Sequence, residues 1–395
     1  MCSASSVNGR VLRLKPSGRR CIAARFARCE ACELHPSHPH RDILLVFLRL
    51  GLTSFGGPVA HLGYFRAEFV ERRRWLGERD FADLVALAQF LPGPASSQTG
   101  FAIGLMRGGA LGGAAAWCGF TLPSALALTV FAYVAADLAA TRAGAGILHG
   151  LKLAAVAIVA QAVLGMARSL CPDRARAAIA VAALSVMAAA PQAAAAQVAA
   201  IAIGAAAGLL ACRTAGEALP PAVPLGVSPA VGAGCLAMFV ALLALSFVPL
   251  GGLTLFDAFY RSGALVFGGG HVVLPLLRDA VVAPGWVSDS AFLAGYGAAQ
   301  AVPGPLFTFA AYLGAVTAGI GGAAIGLLGI FLPGLLILVG TLPFWNRLRH
   351  AKGAQAAMRG INAAVVGLLA SALYNPLWTS AIGTRADVAV AAAGF

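Results

Sequence analysis

A chain of 395 residues that is 59% hydrophobic and only 11% charged lacks the polar surface to cover a water-soluble globule, so it belongs in a lipid bilayer. Its net charge of +13 sits in loops beside apolar segments and in an amino-terminal tail; positive-inside topology explains it, and no nucleic-acid partner is expected. HExxH, Walker A, GxSxG and closely paired carboxylates are all missing, so neither an enzyme nor a cofactor is expected.

Residues 1–40 form a basic tail with Arg10, Arg13, Lys15, Arg19, Arg20, Arg25 and Arg28. Cys29 and Cys32 make a CxxC followed by His35, His38 and His40, superficially a metal-ligand set. It has no second ligand pair and no apolar run around it, so the tail is expected to be a disordered extension holding no metal. Apolar stretches near the roughly 20 residues a spanning helix needs then follow at 43–62, 108–138, 147–168, 176–190, 193–211, 229–250, 254–275, 319–342 and 356–373. Two more, 81–105 and 291–316, are interrupted by Pro-Gly-Pro. The pattern predicts an all-α polytopic membrane protein of about ten or eleven segments, with broken helices.

The chain repeats itself. Phe55-Gly56-Gly57 returns as Phe267-Gly268-Gly269 (267 − 55 = 212). At an offset of 211, Trp75 pairs with Trp286, Phe81 with Phe292, Gln89 with Gln300, and Pro92-Gly93-Pro94 with Pro303-Gly304-Pro305. Phe120-Thr121-Leu122-Pro123 answers Phe331-Leu332-Pro333, and Gly150 answers Gly360. So many matches in order imply duplication, the usual construction of a secondary transporter with its site between the repeats. The first repeat takes 41–212; a linker and an unmatched helix take 213–253; the second repeat takes 254–395 and is expected to lack its last one or two helices.

Arg66, Arg72, Arg73, Arg74 and Arg79 follow the first apolar segment of repeat one, whereas the matching stretch of repeat two has Arg278 with Asp279 and Asp289. Positive-inside bias places these loops on opposite faces, which predicts inverted repeats. The basic tail conflicts with this if 43–62 crosses the membrane. Either the Phe-Gly-Gly-Pro segment turns back, the reading we favour, or the tail does not direct insertion.

Two kinds of helix break carry the chemistry. Gly and Pro disfavour a helix interior by about 1 and 3 kcal/mol, and freed backbone groups cannot face lipid. Such breaks at Gly56, Gly57 and Pro58 and at Pro92, Gly93 and Pro94 point to a polar cavity. The helix restarting after Pro94 offers its unpaired N–H groups and positive dipole end beside Ser96, Ser97 and Gln98, a place for an anion. Repeat two supplies Gly268, Gly269, Pro303, Gly304 and Pro305 but has Phe307, Thr308 and Phe309 where repeat one has those three polar side chains, so an asymmetric site dominated by repeat one is expected. Arg49, His61, Lys152 and His271 are cations at membrane depth that could supply positive field, and Gln89 and Gln300 are supporting positions. Arg107 and His149 also fall at the edges of apolar segments, and Lys152 is matched by Asn362. The pairs Gly108-Gly109 and Gly112-Gly113 read as close helix packing. Acidic residues are scarce inside the segments, with Asp83, Asp137 and Asp257 near their ends; the path suits negative charge.

The stretches FGGPVAHLGYFRAEFVERRRWL (55–76), FADLVALAQFLPGPASSQTG (81–100), WCGFTLPSA (117–125), FGGGHVVLPLL (267–277) and AVPGP (301–305) resemble the long, two-repeat members of the chromate ion transporter family. The resemblance covers residues 41 to 395. It implies a multi-pass bacterial inner-membrane protein that exports chromate and recognises its near-isostere sulfate, with the lipid bilayer as its surroundings and a homodimer among the assemblies left open. The basic tail and the early carboxyl end depart from the family's pattern. An oxyanion importer and an inactive, truncated membrane paralogue are the alternative readings.

Overall fold

Each repeat opens with two helical hairpins; the Gly56-Gly57-Pro58 and the two Pro-Gly-Pro motifs sit at tips. The computed structural model describes residues 39–189, 194–212, 226–248, 254–267 and 270–395, and no strand occurs among them. The amino-terminal CxxC, the linker and Gly268 and Gly269 lie outside the described residues.

In repeat one, α1 (Pro39–Thr53) buries Ile43, Val46, Phe47 and Leu50 along one face. The backbone then leaves the helix: Gly56 and Gly57 have φ of 96° and 76°, where residues with a Cβ are strained. Pro58 opens α2 (Gly57–Phe65) at a position where its missing N–H does no harm. This helix runs back along α1. Phe65 meets the Phe47 ring edge-on at 5.6 Å, Phe69 stacks on it at 4.9 Å, and Arg73 reaches Asp42 at 3.5 Å. The Phe-Gly-Gly-Pro segment therefore turns back instead of crossing, and the basic turn lies beside the start of α1, which removes the conflict over topology.

The second hairpin pairs α3 (Glu78–Phe90) with the start of α4 (Ala95–Ala140). Within α4 the backbone reverses at Gly108 and Gly109 (φ −142° and 62°). A Cβ on Gly104 would overlap the Gly112 carbonyl oxygen, although residues eight apart in a straight helix stand about 12 Å from each other. So 95–107 is a short limb that returns to the surface and 110–140 is a long helix. Gly112 does pack closely, as expected, but Gly108 and Gly109 make the reversal itself.

After α5 (Arg142–Leu170), α6 (Arg174–Ala189), α7 (Ala194–Ala211) and the unmatched α8 (Pro229–Leu245), the pattern recurs. The first hairpin of repeat two is α9 (Thr254–Ala264) and α10 (Val273–Val281), held where Ser262 Oγ donates to the Leu276 carbonyl at 3.3 Å. Next, α11 (Asp289–Ala301) leads to Pro-Gly-Pro. In α12 (Phe309–Thr341) the chain reverses at Ala318 and Gly319 with almost the same dihedrals as in α4 (φ −145° and 64°). The chain ends with α13 (Trp345–Leu348), α14 (Lys352–Ala372), α15 (Thr379–Ala381) and α16 (Arg385–Gly394). Glycine contacts seat α14 on its neighbours, Gly360 against Gly204 and Gly208, and Gly367 against Ala180.

The two long helices fix the relation between repeats. Trp117 meets Phe331 at 5.5 Å between ring centroids, whereas Tyr133 lies beside Gly319. Residue numbers rise along one helix as they fall along the other, so these equivalent helices are antiparallel. The two-fold axis relating them is perpendicular to both, hence in the membrane plane for helices that cross it: the repeats are inverted. Among the described residues, four helical runs are long and apolar enough to cross a bilayer, 95–135, 142–170, 306–348 and 352–381. The first and third contain the reversals, and the remaining apolar stretches form shorter helices.

Candidate functional site

The hairpin tips of the two repeats interlock in a reciprocal pair of hydrogen bonds. The Gly93 N–H donates to the Val266 carbonyl at 2.8 Å, and the Gly304 N–H donates to the Ser54 carbonyl at 2.9 Å. Gly93 and Gly304 are equivalent, as are Ser54 and Val266, so each Pro-Gly-Pro tip grips the tip of the opposite repeat. Both glycines have φ near 115° (116° and 112°), a region essentially reserved for glycine. Gly93 packs on Gly334, and Gly304 on Ser124 at the matching place in repeat one. Pro58 stands against Gly270.

Around this junction repeat one collects buried polar groups that satisfy one another poorly. Ser54, His61, Ser96, Ser97, Gln98, Thr99 and Thr121 are all at most 3% exposed. Ser54 Oγ, Ser97 Oγ, Thr121 Oγ1, His61 Nε2, Gln98 Oε1 and Trp117 Nε1 have no hydrogen-bond partner. Natural interiors rarely leave such atoms unpaired, at about 1–3 kcal/mol each. Pro94 caps the short limb without a side-chain bond, and the first N–H groups of a helix have no carbonyl behind them. The α2 amino terminus, also uncapped by a side chain, lies at the same junction, because His61 Nδ1 approaches Ser96 Oγ at 3.4 Å. Two uncapped helix ends, hydroxyl groups and an imidazole thus lie together at depth, buried from solvent.

Not every expected residue joins it. Gln98 sits at the junction, but its amide nitrogen donates to the Pro92 carbonyl at 2.9 Å and the Gly334 carbonyl at 2.8 Å. A flipped amide would set oxygen against oxygen, so Gln98 works as a clip between the repeats. Arg49 is exposed on the outer face of α1, away from the buried hydroxyls. Lys152 Nζ donates to Ser290 Oγ at 2.6 Å, in the first turn of α11, ten residues and about 15 Å before Gln300. His271 makes a separate group in repeat two, with Tyr296 Oη at 2.8 Å and Gln300 Nε2 at 3.4 Å. Gln89 is exposed. Pro303, Gly304 and Pro305 do reach the junction, where Thr308 caps its own turn by donating to the Pro305 carbonyl at 2.7 Å and Phe307 and Phe309 fill the remaining space.

Ser54, Thr121 and Ser124 were not among the expected contacts. Their signal lies in repeat-to-repeat comparison: Val266 stands for Ser54, the apolar Phe331-Leu332 pair for the Phe120-Thr121 pair and Gly334 for Ser124, so polarity is confined to one copy at each position.

The profile of the family described as chromate transporter matches residues 41–209 and 253–395. The chain belongs to the chromate transporter family. The chromate transport protein of Pseudomonas aeruginosa is 30% identical over 342 residues, covering 85% of this chain and 80% of that protein. A probable chromate transport protein of Synechococcus elongatus is 27% identical, covering 86% and 85%. The chromate transport protein of Cupriavidus metallidurans is also 27% identical, covering 86% and 82%. No solved structure matches the chain. The two regions matched by the chromate transporter profile coincide with the two structural repeats, so the interlocked tips lie where the duplicated family domains meet.

Proposed function

We propose that this multi-pass membrane protein exports chromate across the bacterial inner membrane, binding the tetrahedral dianion between the interlocked tips. The observation that carries this reading is the set of buried, unpartnered polar groups in repeat one: the Ser54, Ser97 and Thr121 hydroxyls, His61 Nε2 and the helix amino termini uncapped by side chains. An anion with four acceptor oxygens satisfies them together, and sulfate has the same shape and charge. The relatives' names supply the substrate.

Export follows from charge. Moving a dianion out across an inside-negative potential releases about 2 × 2.3 = 4.6 kcal/mol per 100 mV, roughly a thousand-fold gradient. Efflux therefore runs without ATP, whereas uptake requires several coupled cations. Because the site is closed, each cycle includes parting the tips on one side at a time.

The test is radiolabelled chromate uptake into inside-out vesicles under an imposed inside-positive potential, with and without excess sulfate. Potential-driven accumulation suppressed by sulfate is the expected result. An inserted protein that shows no accumulation refutes export, and accumulation only in right-side-out vesicles indicates the importer instead.

A further inference from the structure

The arginine-rich turn of repeat one and its equivalent in repeat two each hold an Arg–carboxylate ion pair and differ in how the carboxylate just after that arginine is partnered. Arg66 Nε binds Glu78 at 2.7 Å, and Arg278 Nε binds Asp289 at 2.9 Å, with a second contact at 3.3 Å. Two residues after Arg66 comes Glu68, and one residue after Arg278 comes Asp279, its equivalent at the 211-residue offset. Glu68 accepts hydrogen bonds from both Arg72 and Arg73, the latter at 2.6 Å. No such arginines follow Asp279. Its Oδ2 accepts from the neutral Gln197 Nε2, itself 2% exposed, and its neighbour Arg278 is committed to Asp289.

Asp279 also stands between two cavities. On one side is a space of about 10 Å³, the size of one water, lined by Gln197, Pro275, Ser371 and Asn375. There the helix after α14 unwinds, with Asn375 at φ −128° and ψ 112°. On the other side is an open cavity of about 360 Å³, lined by Asp257, Arg261 and Trp286 among others. The groups facing Asp279 are thus Arg278 and Asp289, held together, Asp257 and Arg261 from α9, Gln197 from α7, Ser371 from α14 and Asn375 from the unwound turn after it. The Arg261 guanidinium lies over the Phe247 ring at 5.4 Å.

We propose that Asp279 carries the proton that couples oxyanion export to proton influx, an inference that rests on the transporter reading. Water in the open cavity delivers one proton to the carboxylate, which becomes neutral and able to donate toward the inner space. Such half-buried carboxylates without a committed cation are typical proton carriers, and unwound helices serve coupling ions in inverted-repeat transporters. Both carboxylates lie outside the four long spans, and their environments pull them apart. Burial raises the Asp279 carboxyl to about 6 against the opposing pull of Arg278. Burial also raises Glu68, but hydrogen bonds from Arg73 and Arg72 outweigh it and hold that group below the usual carboxylate range. With the arginine-rich turn on the cytoplasmic side, the two-fold puts Asp279 on the outer side, where protons are more abundant.

The test uses full-length protein in proteoliposomes with the membrane potential clamped at zero. A one-unit pH gradient should drive about tenfold chromate accumulation, since a tenfold ratio and one pH unit are each about 1.4 kcal/mol. Asp279→Asn should abolish that accumulation yet keep chromate counterflow, and Asp279→Glu should restore it. Undiminished accumulation by Asp279→Asn overturns the inference, as does accumulation that follows sodium and ignores pH. Lack of counterflow in the wild type overturns the transporter reading and this inference with it. Should Asp279→Asn fail to insert, infrared titration of the wild type against Asp257→Asn decides: a protonated-carboxyl band titrating near pH 6 in both supports the assignment, and its loss in Asp257→Asn refutes it.

Discussion

Gly304→Ala probes the interlocked tips at the point where the repeats differ least. The substitution keeps the N–H that donates to the Ser54 carbonyl, so no hydrogen bond is removed. It does place a Cβ at φ 112°, 2.7 Å from Ser124 Oγ and 3.1 Å from Ser124 Cβ. Backbone strain in that region is worth about 1–3 kcal/mol, and overpacking adds about 1–3 kcal/mol. A loss of about 2–6 kcal/mol follows, a large part of the stability of any domain. Ser124→Gly in the same chain recreates the Gly93–Gly334 pairing of the other tip; it should recover the steric part, about 1–3 kcal/mol, and leave the strain. The assay is chemical unfolding of detergent-solubilised protein, with melting temperature as a second probe. Wild-type stability in Gly304→Ala refutes the close approach of the tips, and absence of any rescue by Ser124→Gly refutes the assigned contact.

Other outcomes follow from the same geometry. Asp83→Ala breaks a buried pair in which Arg349 binds Asp83 at 2.6 Å across the repeats, with an expected loss of about 3–5 kcal/mol; adding Arg349→Met should return part of it in the same unfolding assay. Arg49→Gln should leave chromate flux within about twofold of wild type, because the side chain lies on the outer face of α1 and touches none of the buried hydroxyls. Single cysteines at Arg79 and Ala283, in a background without native cysteines, should react with impermeant thiol reagents from opposite sides of the membrane; labelling from one side contradicts inverted repeats.

Duplication, the turn-back at Phe-Gly-Gly-Pro and the polar bias toward repeat one were legible in the sequence, since each rests on residue types whose backbone behaviour is local. Gly57, Gly93 and Gly304 announce their positive φ values by being glycine next to proline, and Gly56 by being the first of a glycine pair before Pro58. The reversal at Gly108 and Gly109 was not legible, because Gly-Gly in an apolar run serves close packing equally well, and repeat two makes the same turn with Ala318 and Gly319. Arg49 misled because flanking apolar residues identify a segment but not which face of it turns inward. Gln98 was read as a ligand contact because its type and depth suit one; only the position of Gly334, 236 residues away, shows its amide already engaged. Ser54 and Thr121 are single hydroxyls in apolar surroundings, and they acquire meaning once the tips bring them together.

The central claim is that the donors of repeat one, and not their counterparts, hold the oxyanion. Ser97 and Thr308 are equivalent by position, but the Ser97 hydroxyl is unpartnered and Thr308 bonds the Pro305 carbonyl. The deciding measurement compares initial chromate flux into inside-out vesicles for Ser97→Ala and Thr308→Ala at equal inserted protein. Losing one hydrogen bond to a charged ligand is worth about 1.5–3 kcal/mol, so Ser97→Ala should slow flux about tenfold or more while Thr308→Ala stays within about twofold. Equal losses, or a larger loss in Thr308→Ala, would contradict it.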